Sequence, residues 1–93
     1  MVKGAAKFVV KGTVQGIFFK GFCKENADKL NLNGFVRSLE DGNVEVLVEG
    51  AKSDIEDFFK ILKEGPKHSN IRSVVVEEKK WTGDLKEFKV LRF

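Results

Sequence analysis

The fold of this chain is decided by the stretch Gly34–Val48, GFVRSLEDGNVEVLV, near its middle. Its first five residues predict a short strand. The Asp-Gly pair at 41–42 predicts the tight turn of a β-hairpin, because glycine accepts a positive φ. The second strand alternates valine with other residues, so that one face is apolar: Val44, Val46 and Val48. Leu47 indicates that the opposite face is not wholly exposed.

One amphipathic helix is predicted before this hairpin, from about Gly21. Its apolar face carries residues at steps of four, four and three: Phe19, Cys23, Ala27 and Leu30. Asn33-Gly34 has the composition of a helix end. A strand from Phe8 to Val14 precedes the helix, and residues 1–6 are expected to be a loose tail.

A second helix is predicted after the hairpin. Its apolar face has the spacing i, i+3, i+4 and i+7: Ile55, Phe58, Phe59 and Leu62. Ser53 and Glu56 have the spacing of a capping box, and Gly65-Pro66 is expected to stop the helix. A valine-rich strand at 71–79, a turn at 82–84 and a last short strand at 88–93 complete the chain.

The resulting order, β-α-β-β-α-β, is that of the ferredoxin-like fold, an α+β architecture. We therefore expect an antiparallel sheet with two helices on one face. The chain has 93 residues and shows neither a repeat nor a serine- or proline-rich linker. Such a length suits one domain, so residues 1–93 are expected to fold together.

The composition argues against several classes of function. The chain carries 17 basic and 14 acidic residues, a net charge of +3, which does not demand a nucleic-acid partner. The strand at 44–48 has acids and no aromatic residue, unlike the strands that stack RNA bases. One cysteine, Cys23, and one histidine, His68, cannot supply the usual zinc ligands. Without an apolar run of 18 residues no membrane partner is expected, and we expect a cytoplasmic monomer.

The segment Val14–Lys20, VQGIFFK, joins the first strand to the first helix. A glycine turn at a helix N-terminus directs backbone N–H groups and the positive end of the helix dipole toward an anion. Lys20 adds a positive charge there, which costs the helix up to about 1 kcal/mol unless an anion lies between. A plain strand–helix loop with a solvent-facing lysine explains the same residues. Phe18 and Phe19 either both pack in the core or are divided between core and site.

Two motifs resemble the signatures of the acylphosphatase family. The first is GxVQGIxF at 12–19, followed by Lys20, and the second is GFVRSLxDGxVE at 34–45. Gly50, Gly65-Pro66 and the strand at 71–76 also lie where that family has them. The similarity covers about residues 7–93, and two motifs in the right order are far more specific than one glycine-rich loop.

This resemblance implies metal-free hydrolysis of acyl phosphates, the mixed anhydrides of a carboxylic acid and phosphate, to carboxylate and inorganic phosphate. Lys20 would clamp the phosphoryl oxygens, and Ser38 would orient the attacking water. Backbone N–H groups of one loop would hold the phosphate: Gln15, Gly16, Ile17, Phe18, Phe19 and Lys20. The implied partner is a small-molecule acyl phosphate or inorganic phosphate, and no cofactor is implied.

Both candidate catalytic side chains differ from those usual in the family, which has Arg in place of Lys20 and Asn in place of Ser38. Arginine offers a planar fork to two phosphate oxygens, whereas lysine offers one compact charge on a flexible stem. Serine keeps a hydroxyl but is shorter than asparagine and lacks its second polar atom. Two interpretations follow: an acylphosphatase weakened by these substitutions, or a non-catalytic phosphate-binding module on the same fold.

The other distinctive residues are expected to be structural. Cys23 is interpreted as a buried, inert thiol, His68 as a surface residue, and Trp81 as a cover for the sheet edge. Four basic residues around the second helix are interpreted as a solvated surface: Lys60, Lys63, Lys67 and Arg72.

Overall fold

The computed structural model describes residues 2–13, 17–67 and 69–92, except for the side chains of Thr13 and Ile17. Its seven elements are β1 (Lys3–Thr13), α1 (Ile17–Lys29), β2 (Asn33–Ser38), β3 (Val44–Ala51), α2 (Lys52–Glu64), β4 (Asn70–Lys79) and β5 (Phe88–Val90). The predicted β-α-β-β-α-β order with a short last strand, and with it the ferredoxin-like α+β class, is confirmed.

The five strands form one sheet in the order β4-β1-β3-β2-β5. β1 pairs antiparallel with β3 and β4, and β2 pairs antiparallel with β3. β5 lies parallel to β2, so the sheet is mixed rather than wholly antiparallel. The reason is that residues 80–87 cross from one edge of the sheet to the other without running back along it. β5 therefore runs in the direction opposite to β4, and this is also the direction of β2.

Both helices cover the same face of the sheet, as predicted. α1 packs on β2 and β5, α2 packs on β1, β3 and β4, and the two helices touch. Both predicted helix faces point into this core, although Leu30, Ile55 and Phe59 are only partly buried. The buried core consists mainly of large apolar side chains: Phe8, Val10, Phe19, Cys23, Leu32, Val36, Val44, Val46, Val48, Phe58, Leu62 and Phe88.

The prediction of a loose tail at residues 1–6 is wrong. β1 begins at Lys3, which pairs with Ala51 of β3, and the side chains of Ala5 and Ala6 are buried. β3 continues beyond the predicted hairpin strand as far as Ala51, and this extension provides the partner. A strand made of glycine and alanine has little propensity of its own, so pairing alone determines it.

α1 begins at Ile17 and ends before Asn33-Gly34, so both predicted limits of this helix are wrong. Asn31 adopts a φ of 56°, and the N–H groups of Asn31 and Leu32 donate back to the carbonyls of Asp28 and Ala27. This is a Schellman end with asparagine in the place glycine usually takes. Asn33 and Gly34 instead begin β2, because β3 supplies their hydrogen bonds.

The predicted capping box at the start of α2 is also wrong. The N-cap is Ala51, and no side chain caps the helix. β3 runs directly into α2, and the N–H of Lys52 donates to the carbonyl of Val2 at 2.9 Å. The predicted stop at Gly65 is confirmed: it has a φ of 74°, and its N–H donates to the Ile61 carbonyl at 2.9 Å.

Candidate functional site

The two candidate catalytic residues are brought to the same end of the sheet. Val10, near the end of β1, pairs with Val44 of β3, and Val44 pairs with Ser38, the last residue of β2. Neighbouring strands lie about 4.8 Å apart, so the ends of β1 and β2 are separated by about 10 Å. α1 starts four residues after β1 ends. The start of α1 and the end of β2 therefore lie at the same end of the sheet.

Lys20 lies in the first turns of α1 and is half-buried. Its ammonium donates to the carbonyl oxygen of Leu91 at 3.3 Å, and the N–H of Leu91 donates to the carbonyl of Val36 in β2 at 2.9 Å. One turn further along α1, Lys24 donates in the same way to the carbonyl of Phe88 at 3.0 Å. Two lysines thus fasten α1 to the C-terminal strand segment, and the Lys20 ammonium is held beside β2.

Ser38 lies on the face of the sheet that the helices cover. It alternates with the buried Val36 and pairs with the buried Val44, which both point toward α1 and α2. Ser38 itself is exposed, since the sheet ends there. Arg37 points to the opposite face, where its guanidinium binds the carboxylate of Glu45 at 2.9 Å. The geometry thus places the hydroxyl of Ser38, and not the charge of Arg37, on the side of Lys20.

The start of α1 carries uncompensated positive charge. The first turn, Ile17–Lys20, contains no acidic residue, whereas the first turn of α2 contains Asp54. Backbone N–H groups and the dipole at a helix start favour an anion, and Lys20 increases this preference. Val14, Gln15 and Gly16 of the predicted cradle lie outside the described residues.

The two phenylalanines of the cradle segment are divided between core and surface. Phe19 is 2% exposed and packs in the core, and its ring lies 6.0 Å from that of Phe22. Phe18 is 87% exposed, the highest exposure among the large apolar residues that the structure describes. The interpretation in which both rings pack in the core is therefore wrong. Because successive helical side chains are rotated by 100°, burial of Phe19 does not require burial of Phe18.

Two glycines of the quoted motifs are required by close approach of neighbouring strands. Gly12 has a φ of 139°, and a Cβ there would lie 2.1 Å from the carbonyl oxygen of Asn70. Gly34 has a φ of 152°, and a Cβ would lie 1.7 Å from the carbonyl oxygen of Leu47. No other residue fits either position, so these glycines shape the two strands that lead to the site.

The remaining distinctive residues were expected to have structural roles, and most of them lie in the described part of the chain. Burial raises the pKa of Cys23 to about 12, so the thiol stays protonated and inert, as predicted. The four basic residues 60, 63, 67 and 72 are exposed, and the Lys63 ammonium lies 4.5 Å from the ring centre of Phe59. Trp81 is 44% exposed, with its ring against Gly83. His68 lies outside the described residues.

One buried polar residue was missed by the sequence analysis. Glu49 in β3 is only 6% exposed, and its carboxylate accepts hydrogen bonds from the N–H groups of Thr82 and Gly83 and from the Thr82 hydroxyl. The only available signal was its place beyond Leu47 on the half-buried face of β3. This carboxylate fixes the connection from β4 to β5 and belongs to the opposite end of the sheet from Ser38.

A cleft of about 360 Å³ opens between α2 and β4, but it is not part of this site. Its walls are mainly apolar, from Phe8, Ile55, Phe59 and Val76, and it reaches Lys3 at the start of β1. The candidate site lies beyond the other end of β1. Across the described part of the chain, His, Cys, Asp and Glu side chains form no group of three that could hold a metal ion.

Comparison with known proteins identifies relatives over nearly the whole chain. The acylphosphatase family model matches residues 6–90. An acylphosphatase of Aliivibrio fischeri is 43% identical over 83 residues, which cover 89% of this chain and 91% of the relative. One of Dehalococcoides mccartyi is 39% identical over 85 residues, covering 90% and 93%.

A solved structure agrees with these sequence relatives. The acylphosphatase from Bacillus subtilis superimposes with a TM-score of 0.90 at 30% identity, covering 96% of this chain and 99% of the other. The expectation drawn from the two motifs is confirmed by the family match and by these relatives together. The chain belongs to the acylphosphatase family.

Proposed function

We propose that this protein hydrolyses acyl phosphates to a carboxylate and inorganic phosphate. The observation that carries the proposal is that Lys20, whose ammonium lies 3.3 Å from the Leu91 carbonyl, and the exposed Ser38 lie at the same end of the sheet. The relatives matched over about nine-tenths of the chain are named acylphosphatases, which favours an enzyme over a non-catalytic phosphate-binding module.

The reaction needs little chemistry from the protein itself. A water oxygen forms a bond to phosphorus while the bond from phosphorus to the acyl oxygen breaks. Both water protons remain on the product, so that the acyl phosphate dianion and water give a carboxylate and dihydrogen phosphate. A carboxylate leaves without a proton because carboxylic acids are ionised at neutral pH. Positioning and charge stabilisation therefore determine the rate of such a transfer.

Lys20 supplies the charge in this proposal. An ammonium has three N–H donors, and the bond to Leu91 uses one of them. The remaining donors are available to the phosphoryl oxygens, beside the backbone N–H groups from Gln15 to Lys20. The anchor on Leu91 partly replaces the rigidity that the planar arginine fork has by itself. It does not replace the second parallel hydrogen bond, so we propose a working but weakened site.

Ser38 positions the attacking water in this proposal. Its hydroxyl can accept a hydrogen bond from water and donate one to a phosphoryl oxygen, but not through two separate polar atoms as asparagine can. Because Ser38 is exposed at the end of β2, bulk water reaches it freely. Less exact alignment of the attacking water is the second proposed reason for a weakened activity.

The test is hydrolysis of benzoyl phosphate by the wild-type protein and by substituted variants. Lys20→Ala should lower kcat/KM by about 10²–10³-fold, as expected for loss of one charged donor at the reacting group. Lys24→Ala is the matched control, since Lys24 makes the same kind of bond one turn further along α1 than Lys20. It should change kcat/KM only a few-fold.

Lys20→Arg and Ser38→Asn should restore activity together rather than separately. A held phosphate without an aligned water gives no productive attack, and the reverse also holds. We expect the double variant to exceed the product of the single gains and to reach at least about 10²-fold over wild type. If wild type and double variant both fold but hydrolyse nothing above buffer, the proposed enzyme is refuted. Inorganic phosphate should shift the amide signals of residues 16–20 in either case if the loop binds the anion.

Two expectations from the sequence, a cytoplasmic location and a monomeric state, stay predictions. Sedimentation at several protein concentrations would check the second. Of the helices in the described part of the chain, none has the length and apolar character needed to cross a membrane.

A further inference from the structure

The most exposed large apolar side chain in the described part of the protein stands beside the proposed site. Phe18 is 87% exposed, more than Val2 at 66% or the β4 residues Val75 and Val76 at 51% and 43%. An aromatic ring in this position contributes almost nothing to the core, which its neighbour Phe19 enters instead. A single exposed apolar side chain is common on protein surfaces, so what distinguishes Phe18 is its place beside the proposed site.

The helix geometry places Phe18 on the flank of α1 opposite to Lys20. Two residues along a helix correspond to about 200° of rotation, so the two side chains leave the axis in nearly opposite directions. Lys20 points toward Leu91 and β2, as its hydrogen bond shows. Phe18 therefore points away from β2. Helical side chains also lean toward the N-terminus, which carries the ring over the start of α1.

The space around Phe18 is open on its own helix. Gly21, three residues further and on the same flank, is exposed and would have no neighbour within 4 Å of an added Cβ. Glycine there leaves the ring accessible from the side as well as from above. A flat group could lie against it without displacing any other described side chain of the helix.

In-line attack connects this flank to the substrate. In phosphoryl transfer the attacking water and the leaving group lie on opposite sides of phosphorus. Ser38 and Lys20 share the β2 side of α1, so water oriented by Ser38 attacks from that side. The leaving acyl group then lies on the other side, which is the side of Phe18.

We propose that Phe18 is a specificity-determining residue whose ring packs against the acyl group, so that the preferred substrates are aromatic acyl phosphates. This inference rests on the proposed hydrolysis. Phe18 binds the part of the substrate that becomes the carboxylate, whereas Lys20 and the loop bind the phosphate. Since aromatic acids and short aliphatic acids differ only in the part that Phe18 touches, the ratio of their rates isolates its contribution.

The experiment compares kcat/KM for benzoyl phosphate and acetyl phosphate in wild type, Phe18→Ala and Phe18→Trp. An aromatic contact of this kind corresponds to about 3–10-fold, so Phe18→Ala should lower the benzoyl-to-acetyl ratio by that factor. Phe18→Trp should preserve the ratio. Val2→Ala removes another exposed apolar side chain, at the far end of β1, and should leave the ratio unchanged.

Two further measurements make the outcomes distinguishable. The urea midpoint of Phe18→Ala and its inhibition constant for inorganic phosphate should equal those of wild type, because the ring lies outside the core and alanine keeps the backbone N–H that the phosphate loop uses. If wild type hydrolyses neither substrate, the proposed function and this inference both fail. If wild type hydrolyses both and Phe18→Ala keeps the wild-type ratio, only this inference is overturned.

Discussion

Removal of the buried carboxylate at position 49 should lower the free energy of unfolding more than removal of Glu45, a carboxylate on the same face of the same strand. Glu49 accepts three hydrogen bonds from the β4–β5 connection: from the N–H of Thr82 at 3.1 Å, from its hydroxyl at 3.0 Å and from the N–H of Gly83 at 3.2 Å. These bonds fix the segment that carries the chain across the sheet to β5. Glu49→Ala would release that segment.

The expected magnitude follows from the exposure of the donors. A hydrogen bond to a charged group contributes about 1.5–3 kcal/mol. Thr82 is exposed, so water replaces the carboxylate at its two donors and most of their contribution is recovered. Gly83 is half-buried and recovers less. We therefore expect Glu49→Ala to lower the free energy of unfolding by about 2–4 kcal/mol, between one full bond and three.

Glu45→Ala provides a matched control on the same strand and the same face. Its carboxylate, on a side chain that is 12% exposed, pairs with Arg37, which is 38% exposed and stays hydrated without its partner, so the loss should be about 0.2–1 kcal/mol. Urea unfolding followed by circular dichroism gives both values, and amide exchange at Thr82 and Gly83 reports the local bonds. The reasoning is refuted if Glu49→Ala costs no more than Glu45→Ala, or if the two wild-type amides exchange as fast as those of an unfolded peptide.

Two further predictions concern the core. Phe58→Ala should cost about 3–5 kcal/mol, since the ring is fully buried 5.9 Å from that of Phe8. Phe59→Ala should cost less, because its ring is only partly buried and stacks on Phe8 at its outer side; equal losses in urea unfolding would contradict this partition. Cys23, whose pKa burial raises to about 12, should not react with a thiol reagent at pH 8 in the native state and should react quickly in urea. Fast reaction of the folded protein would show that the helix face is open.

Local patterns predicted the elements because short-range geometry determines them. Phe58 and Leu62 are buried since their spacing matches one turn of a helix, and the hairpin turns at Gly42, which has a φ of 89°, since Asp-Gly favours that conformation. The helix limits were less predictable. Asn33-Gly34 has a strong local preference for ending a helix, but pairing with β3 requires both residues in β2.

The candidate site was predicted as two side chains, and the structure supplies their arrangement. The amino-acid sequence was sufficient to predict that Lys20 and Ser38 occupy the two motif positions, that Asp-Gly at 41–42 turns a hairpin, and that one of Phe18 and Phe19 could leave the core. Three-dimensional contacts were needed to show that Lys20 is held by Leu91, 71 residues away, that Glu49 is buried under Thr82, and that Gly12 and Gly34 lie too close to neighbouring strands for any Cβ. The difference is one of range, because periodicity and turn chemistry act within a few residues, whereas these contacts arise when the sheet forms and brings distant backbone groups together.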